Sequence, residues 1–321
     1  MQSATTRPIM AGLFSTFQEP FAVAVPVAIL PIFLLIILGY VLGRRQVLDP
    51  RANQALAFLA FNIFMPMVLF TGMANAPLRG GLDLKVLGAF FIPALMIFAG
   101  VNVIAHRVVG HPTPFGLTAC FGNNVLIGLP LVATLFGPHG LVLLFTVLAV
   151  HSLLLFTFQS LYSTVAGSEP FRPRTLVKSL ANPTIVGLLC GLLLNLAQLS
   201  LPGPLDHLAH WLAQAALPCA LIVLGANLAG FALKPSRTAL GITFAKLFAM
   251  PLIVLLACKW LALGPLPTNV LVLMAANPCG VNTLGFSRTL QDSQKASSAI
   301  CLSTVLAALT LPLWMWLATR V

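Results

Sequence analysis

Long apolar runs separated by short polar loops dominate this 321-residue chain. Ten such runs lie near residues 25–43, 54–74, 86–106, 114–136, 140–164, 179–199, 208–230, 239–260, 268–288 and 296–318. Each is about 20 residues long, enough for a helix to cross a hydrocarbon core roughly 30 Å thick. In lipid a single segment can satisfy all its own backbone polar groups only as a helix. The pattern therefore predicts an all-α membrane protein with ten transmembrane helices.

The polar exceptions inside two of these runs say more than the runs themselves. The fourth run carries Gly-Asn-Asn-Val-Leu-Ile-Gly-Leu-Pro from Gly122 to Pro130, and the ninth carries Asn-Pro-Cys-Gly-Val-Asn-Thr-Leu-Gly from Asn277 to Gly285. Proline lacks an amide hydrogen and clashes with the preceding turn, and glycine weakens a helix by about 1 kcal/mol relative to alanine. Gly122, Gly128, Pro130, Pro278 and Gly280 are thus expected to break their helices at mid-membrane. Backbone groups freed there survive only where protein or a wet cavity receives them. Asn123, Asn124, Asn277 and Asn282 surround the breaks. An uncharged amide both donates and accepts, so these four either cap the freed ends or bind a substrate carboxylate.

The same residue types reveal an internal repeat. Displacing the chain on itself by 152 positions pairs Pro31 with Pro183, Gly39 with Gly191, Pro66 with Pro218, Ala74-Asn75 with Ala226-Asn227, and Gly128 with Gly280. Gly, Pro and Asn are scarce in spanning helices, so their coincidence outweighs matches among Leu and Val. Each half holds five spans, an odd number, so the second half enters the membrane upside down. This predicts two inverted five-helix repeats at 25–165 and 180–321, a lead-in at 1–24 and an inner linker at 166–179. Broken spans in corresponding positions of inverted halves, here 4 and 9, point to a transporter substrate site at their crossing. Glycines Gly39 and Gly191 are expected at close helix contacts, Pro66 and Pro218 at bends, and Trp314 and Trp316 in an interfacial belt.

Composition agrees: 59% of residues are hydrophobic, 7% charged, and the mean hydropathy is +1.00. The net charge of +11 is spread through short loops rather than gathered in a patch, so no nucleic-acid partner is indicated. Assigning the loops alternately, eleven Lys and Arg fall inside and five outside when the N-terminus is outside. The positive-inside rule then places both termini outside. The first 20 residues lack a long apolar core and read as an interfacial lead-in rather than a cleaved signal. The six cysteines are scattered and form no CxxC pair, so they read as small buried apolar residues, with no zinc site and no disulfide framework.

All six acids fall in loops or at span ends, which argues against a sodium site or a carboxylate proton relay in the membrane. The ionisable residues within spans are basic or neutral. Lys246, five residues before Pro251, either attracts a carboxylate, bonds backbone oxygens released by a break, or snorkels to the inner face. His151 is either a proton shuttle or a packing residue. Arg288 either steers anions at an inner mouth or simply sets topology. No cofactor is called for: there is no P-loop, GxSxG or HExxH, so a transport gradient rather than hydrolysis is the expected energy source.

The segments Leu30 to Arg45, Phe61 to Phe70, Gly122 to Pro130, Ala245 to Val254 and Asn277 to Asn282, in that order and spacing, resemble the auxin efflux carrier family. The resemblance implies a fold similar to bile-acid/sodium symporters. Spans 1, 2, 6 and 7 would form a scaffold, spans 3–5 and 8–10 a transport domain, and spans 4 and 9 would cross. It also implies elevator-like alternating access and a homodimer through the scaffold. The short linker departs from the plant carriers and resembles the compact bacterial branch. That favours a small organic acid, malonate or a related carboxylate, carried across a bacterial inner membrane. The alternatives are a channel-like anion pathway and a carrier of auxin-like or other weak acids; an enzyme is disfavoured.

Overall fold

The computed structural model describes residues 21–76, 83–167, 183–231 and 236–320. The lead-in up to residue 20 with Arg7, the linker from residue 168 with Arg172, Arg174 and Lys178, and the loop charges Arg79 and Lys234 lie outside the described residues. The described chain is helical, and its one strand-like feature is an isolated antiparallel bridge between Gly122 and Cys279.

The helices are α1 (Phe21–Arg44), α2 (Pro50–Leu59), α3 (Met65–Ala74), α4 (Leu84–Val109), α5 (Phe115–Cys120) and α6 (Leu129–Val165). They continue with α7 (Pro183–Leu196), α8 (Gly203–Gly230), α9 (Arg237–Phe244), α10 (Met250–Trp260), α11 (Pro265–Ala276) and α12 (Leu290–Ala318). Local chemistry sets several of the ends. Asp49, Asp83, Ser236 and Thr289 each accept a backbone N–H at a helix start, and Gly110, in the left-handed region at φ 80°, closes α4.

Three π-helical turns, Ala60–Phe64, Asn124–Gly128 and Ala245–Ala249, each stand two residues before a proline: Pro66, Pro130 and Pro251. Proline has no N–H for the carbonyl four residues back, and the widened turn absorbs the misfit. At Pro251 the carbonyl left over belongs to Leu247, and the Trp314 indole Nε1 donates to it at 2.7 Å. Trp314 is accordingly buried, contrary to the expected interfacial belt, which only Trp316, half exposed under Arg320, fits.

Among the described residues seven stretches are long and apolar enough to cross a membrane, against the ten expected in the whole chain. The fifth expected span and the second half of the fourth fall within Asn124–Val165, where Gly137 alone is non-helical at φ 60° and ψ −155°, immediately before Pro138. Two others are represented by the shorter helices Pro183–Leu196 and Pro265–Ala276, the latter cut off at Asn277.

The helices pack in two groups. In one, α1, α2, α3, α7 and α8 pack on one another; in the other, α4–α6 and α9–α12 do. The first group is drawn together by small residues: a Cβ added to Gly39 would strike the backbone of Ile222, and one added to Gly191 the backbone of Phe70. Contact between the groups is thinner and runs through α1, α3 and α7 against α6, and α1 against α12.

Candidate functional site

The chain leaves helical geometry at both expected breaks, and the two places meet. After α5 ends at Cys120, Phe121 is extended (φ −82°, ψ 108°); after α11 ends at Ala276, Asn277 is extended (φ −60°, ψ 147°). The freed backbone groups satisfy one another. Asn123 N donates to Pro278 O at 2.8 Å, and Gly280 N donates to Phe121 O at 2.9 Å, framing the Gly122–Cys279 bridge. Pro278 contributes only its carbonyl to this pairing, so its missing N–H costs nothing there. Cys279 N donates to Ser303 Oγ at 3.1 Å.

Side chains add a second tie. Asn277 Nδ2 donates to Asn124 Oδ1 at 2.8 Å, and it fits because Gly128 carries no side chain: a Cβ there would lie 2.6 Å from that same Nδ2. Gly280 similarly makes room for the Phe121 ring. Pro130 follows the π turn and stands apart from the crossing contacts. Each asparagine at the crossing retains unused capacity, since Asn123 Nδ2, Asn124 Nδ2 and Asn277 Oδ1 are buried without a partner. Unsatisfied buried polar atoms are costly, about 1–3 kcal/mol each, so a cluster of them marks a place where a polar guest is favoured.

A cavity adjoins the crossing, with about 80 Å³ accessible to the centres of water molecules. One wall is the crossing itself, from Gly122 to Leu126 and from Gly280 to Asn282, together with His151 and Ser152 of α6. The opposite wall is largely apolar and belongs to the other packing group: Phe61, Met65 and Leu69, then Thr184, Ile185 and Leu188 of α7. No acidic or permanently charged side chain lines it among the described residues. His151 is 1% exposed, packs tilted against Phe121 with ring centroids 4.4 Å apart, and leaves Nε2 without a partner among the described residues.

The structure thus brings together Gly122, Asn123, Asn124, Asn277, Gly280, Asn282 and His151, with Asn282 exposed at the cavity edge. Lys246 does not join them at the cavity. It is fully buried rather than snorkelling, and its Nζ donates to Ala275 O in the last turn of α11. Arg288 is exposed at the start of α12 and donates through Nη2 to Ser163 O at 3.1 Å, bracing the end of α6.

Asp292 stands at a span end, in the first turn of α12, yet it is 1% exposed and lies 3.9 Å from His111. One expectation needs correction. Of the cysteines, Cys120, Cys258, Cys279 and Cys301 are buried as expected, but Cys190 is exposed and Cys219 partly so. Sequence reasoning also missed Ser303, although its number was within reach: it stands 152 positions after His151, the spacing of the repeat.

Comparison with known sequences gives this multi-pass helical protein its class, that of membrane transporters. The chain belongs to the auxin efflux carrier family: the family described as "Membrane transport protein" matches residues 24–169 and 171–315. The chain is also 28% identical over 297 residues to an uncharacterized transporter of Methanothermobacter thermautotrophicus, across 89% of this chain and 96% of the relative.

Proposed function

We propose that this transporter is a secondary carrier of small organic anions, malonate or a related carboxylate, with its substrate site at the crossing. The observation that carries the reading is the composition of the cavity. Asn123, Asn124 and His151, each with an unpaired buried nitrogen, line it opposite a largely apolar wall, and among the described residues no acid lines it to repel an anion. A carboxylate accepts up to about four hydrogen bonds, so it can use the donors that the protein leaves idle.

The finer architecture belongs to the same proposal: ten spans in two inverted repeats, with spans 4 and 9 broken and crossing. Its support lies in paired positions. Gly39 meets Ile222 and Gly191 meets Phe70, and a displacement of 152 residues carries Gly39 onto Gly191 and Phe70 onto Ile222. The non-helical Gly137 divides span 4 from span 5. The two packing groups correspond to a scaffold (spans 1, 2, 6 and 7) and a transport domain (spans 3–5 and 8–10). The thin contact between them, with the cavity at their boundary, suits elevator-like movement of one past the other. A homodimer through the scaffold, both termini outside, and a bacterial inner membrane complete the proposal.

The test is counterflow of labelled malonate in proteoliposomes, competed with a panel of mono- and dicarboxylates. Saturable exchange at carrier turnover is expected. Currents far above carrier rates would indicate a channel, and the absence of competition by every carboxylate would remove organic anions as the cargo.

A further inference from the structure

Lys246 stands apart from the cavity and from every described acid. It sits on the π turn Ala245–Ala249 with no exposed surface, and its Nζ donates to Ala275 O. The ionisable groups whose charge couples to it are the thiols of Cys120, the last residue of α5, and Cys279 in the second extended stretch, with the His151 imidazole also within its field. Among the described residues the acid–base pairs are His111 with Asp292 and His210 with Asp206, so no carboxylate compensates the ammonium.

Two helices end at this place, α5 at Cys120 and α11 at Ala276. The last carbonyls of a helix lack intrahelical donors, and together they carry about half a negative elementary charge. Interrupted membrane helices use such C-terminal ends to coordinate a cation. An ammonium offers one positive charge and three N–H donors, and so meets the same need from a covalently attached side chain. The burial of Lys246 has no other compensation in sight, since an isolated ammonium in low dielectric is expensive and here only carbonyl oxygen receives it.

We propose that the Lys246 ammonium is a tethered cation that fills the cation-coordinating end of α11, so that this transporter neither binds nor needs a sodium ion there. The inference extends the proposed function, which leaves the coupling ion open, and rests on the crossing being the transport core. The positive charge is then supplied by the chain itself. It is present with or without cargo, and it favours an anion at the adjoining crossing without lining the cavity.

The test is thermal unfolding of the purified full-length protein in sodium, lithium, potassium or N-methylglucamine chloride at constant ionic strength. The wild-type Tm is expected to be the same in all four salts. A saturable rise with sodium over N-methylglucamine would show a free metal-ion site and overturn the proposal. Lys246→Ala is expected to lower Tm, and added methylammonium, small enough for the vacated space and able to donate to Ala275 O, to restore it saturably. Tetramethylammonium, which has no N–H, is expected not to. A folded Lys246→Ala that responds alike to both amines contradicts the proposal. Should that variant fail to fold, Lys246→Gln keeps an N–H for Ala275 O without the charge: a Tm clearly below wild type supports a need for charge, and one equal to wild type overturns it. None of these readouts requires a cargo, so they stand whether or not malonate is carried.

Discussion

Asn277 Nδ2 and Asn124 Oδ1 lie 2.8 Å apart, although 153 residues separate them in the chain. This bond, with the two backbone bonds beside it, turns two helix breaks that lipid could not tolerate into one satisfied unit. The remaining amide atoms of the same residues are what the unit has left to offer a guest.

The first prediction concerns that bond. A double-mutant cycle of Asn124→Ala and Asn277→Ala is expected to give a coupling of about 1 kcal/mol, the usual size of an interhelical hydrogen bond in a membrane protein. Each single variant should lose transport more than it loses stability, because each also removes groups lining or supporting the cavity. Unfolding in mixed micelles and uptake by the same preparations measure the two effects side by side.

A second prediction separates the imidazole of His151 from its bulk. His151→Phe preserves a flat ring against Phe121, whose centroid lies 4.4 Å away, but removes the unpaired Nε2 of a residue that lines the cavity. Stability should change by less than about 1.5 kcal/mol, as for other shape-conserving swaps. Substrate affinity should fall about tenfold, the equivalent of one lost hydrogen bond of about 1.4 kcal/mol. Unchanged affinity would confine His151 to packing.

How much of this was legible beforehand depended on residue type. Glycine, proline and asparagine announce themselves against an apolar background, so the non-helical stretches that follow Cys120 and Ala276 and the close contacts of Gly39 and Gly191 could be read from the chain. What leucine, serine and tryptophan would do could not. Ser303 accepts the Cys279 N–H, and Trp314 donates to the Leu247 carbonyl, through contacts that depend on where α12 packs. The direction of Lys246 was open for a similar reason: a lysine near a span end snorkels or turns inward according to what carbonyls lie within reach. The count of spans was also underdetermined, because a single non-helical residue, Gly137, separates two apolar runs that otherwise form one helix.

Third, glycine substitutions should divide sharply. Gly39→Leu and Gly191→Leu drive a side chain into facing backbone, which cannot move aside, and are expected to destabilise by at least about 1–3 kcal/mol. Gly100→Ala and Gly241→Ala, in helices with nothing within 4 Å of an added Cβ, should be neutral or stabilising by up to about 1 kcal/mol. Thermal unfolding and the monodisperse fraction in detergent distinguish the two outcomes.

Fourth, Trp314→Phe leaves the Leu247 carbonyl unpaired above Pro251 and is expected to cost about 1–3 kcal/mol. Trp316→Phe, on the exposed side of the same helix, should cost less than about 0.5 kcal/mol. Equal losses would mean that the indole bond contributes nothing.

Fifth, the charge distribution orients the chain. With Cys190 replaced to remove the exposed native thiol, Val47→Cys should react with an impermeant thiol reagent only from inside, and Leu199→Cys only from outside. The reverse labelling would invert the proposed topology.

The central claim is that the crossing is where the cargo binds. Its most direct test is uptake of labelled malonate into proteoliposomes under an imposed pH gradient or membrane potential, comparing wild type with Asn123→Ala, a cavity-lining residue whose Nδ2 has no partner among the described residues. The account predicts saturable uptake by wild type and at least a tenfold loss in a variant that unfolds at the wild-type temperature. Saturable uptake with unchanged kinetics in folded Asn123→Ala would contradict it and move the substrate elsewhere in the fold.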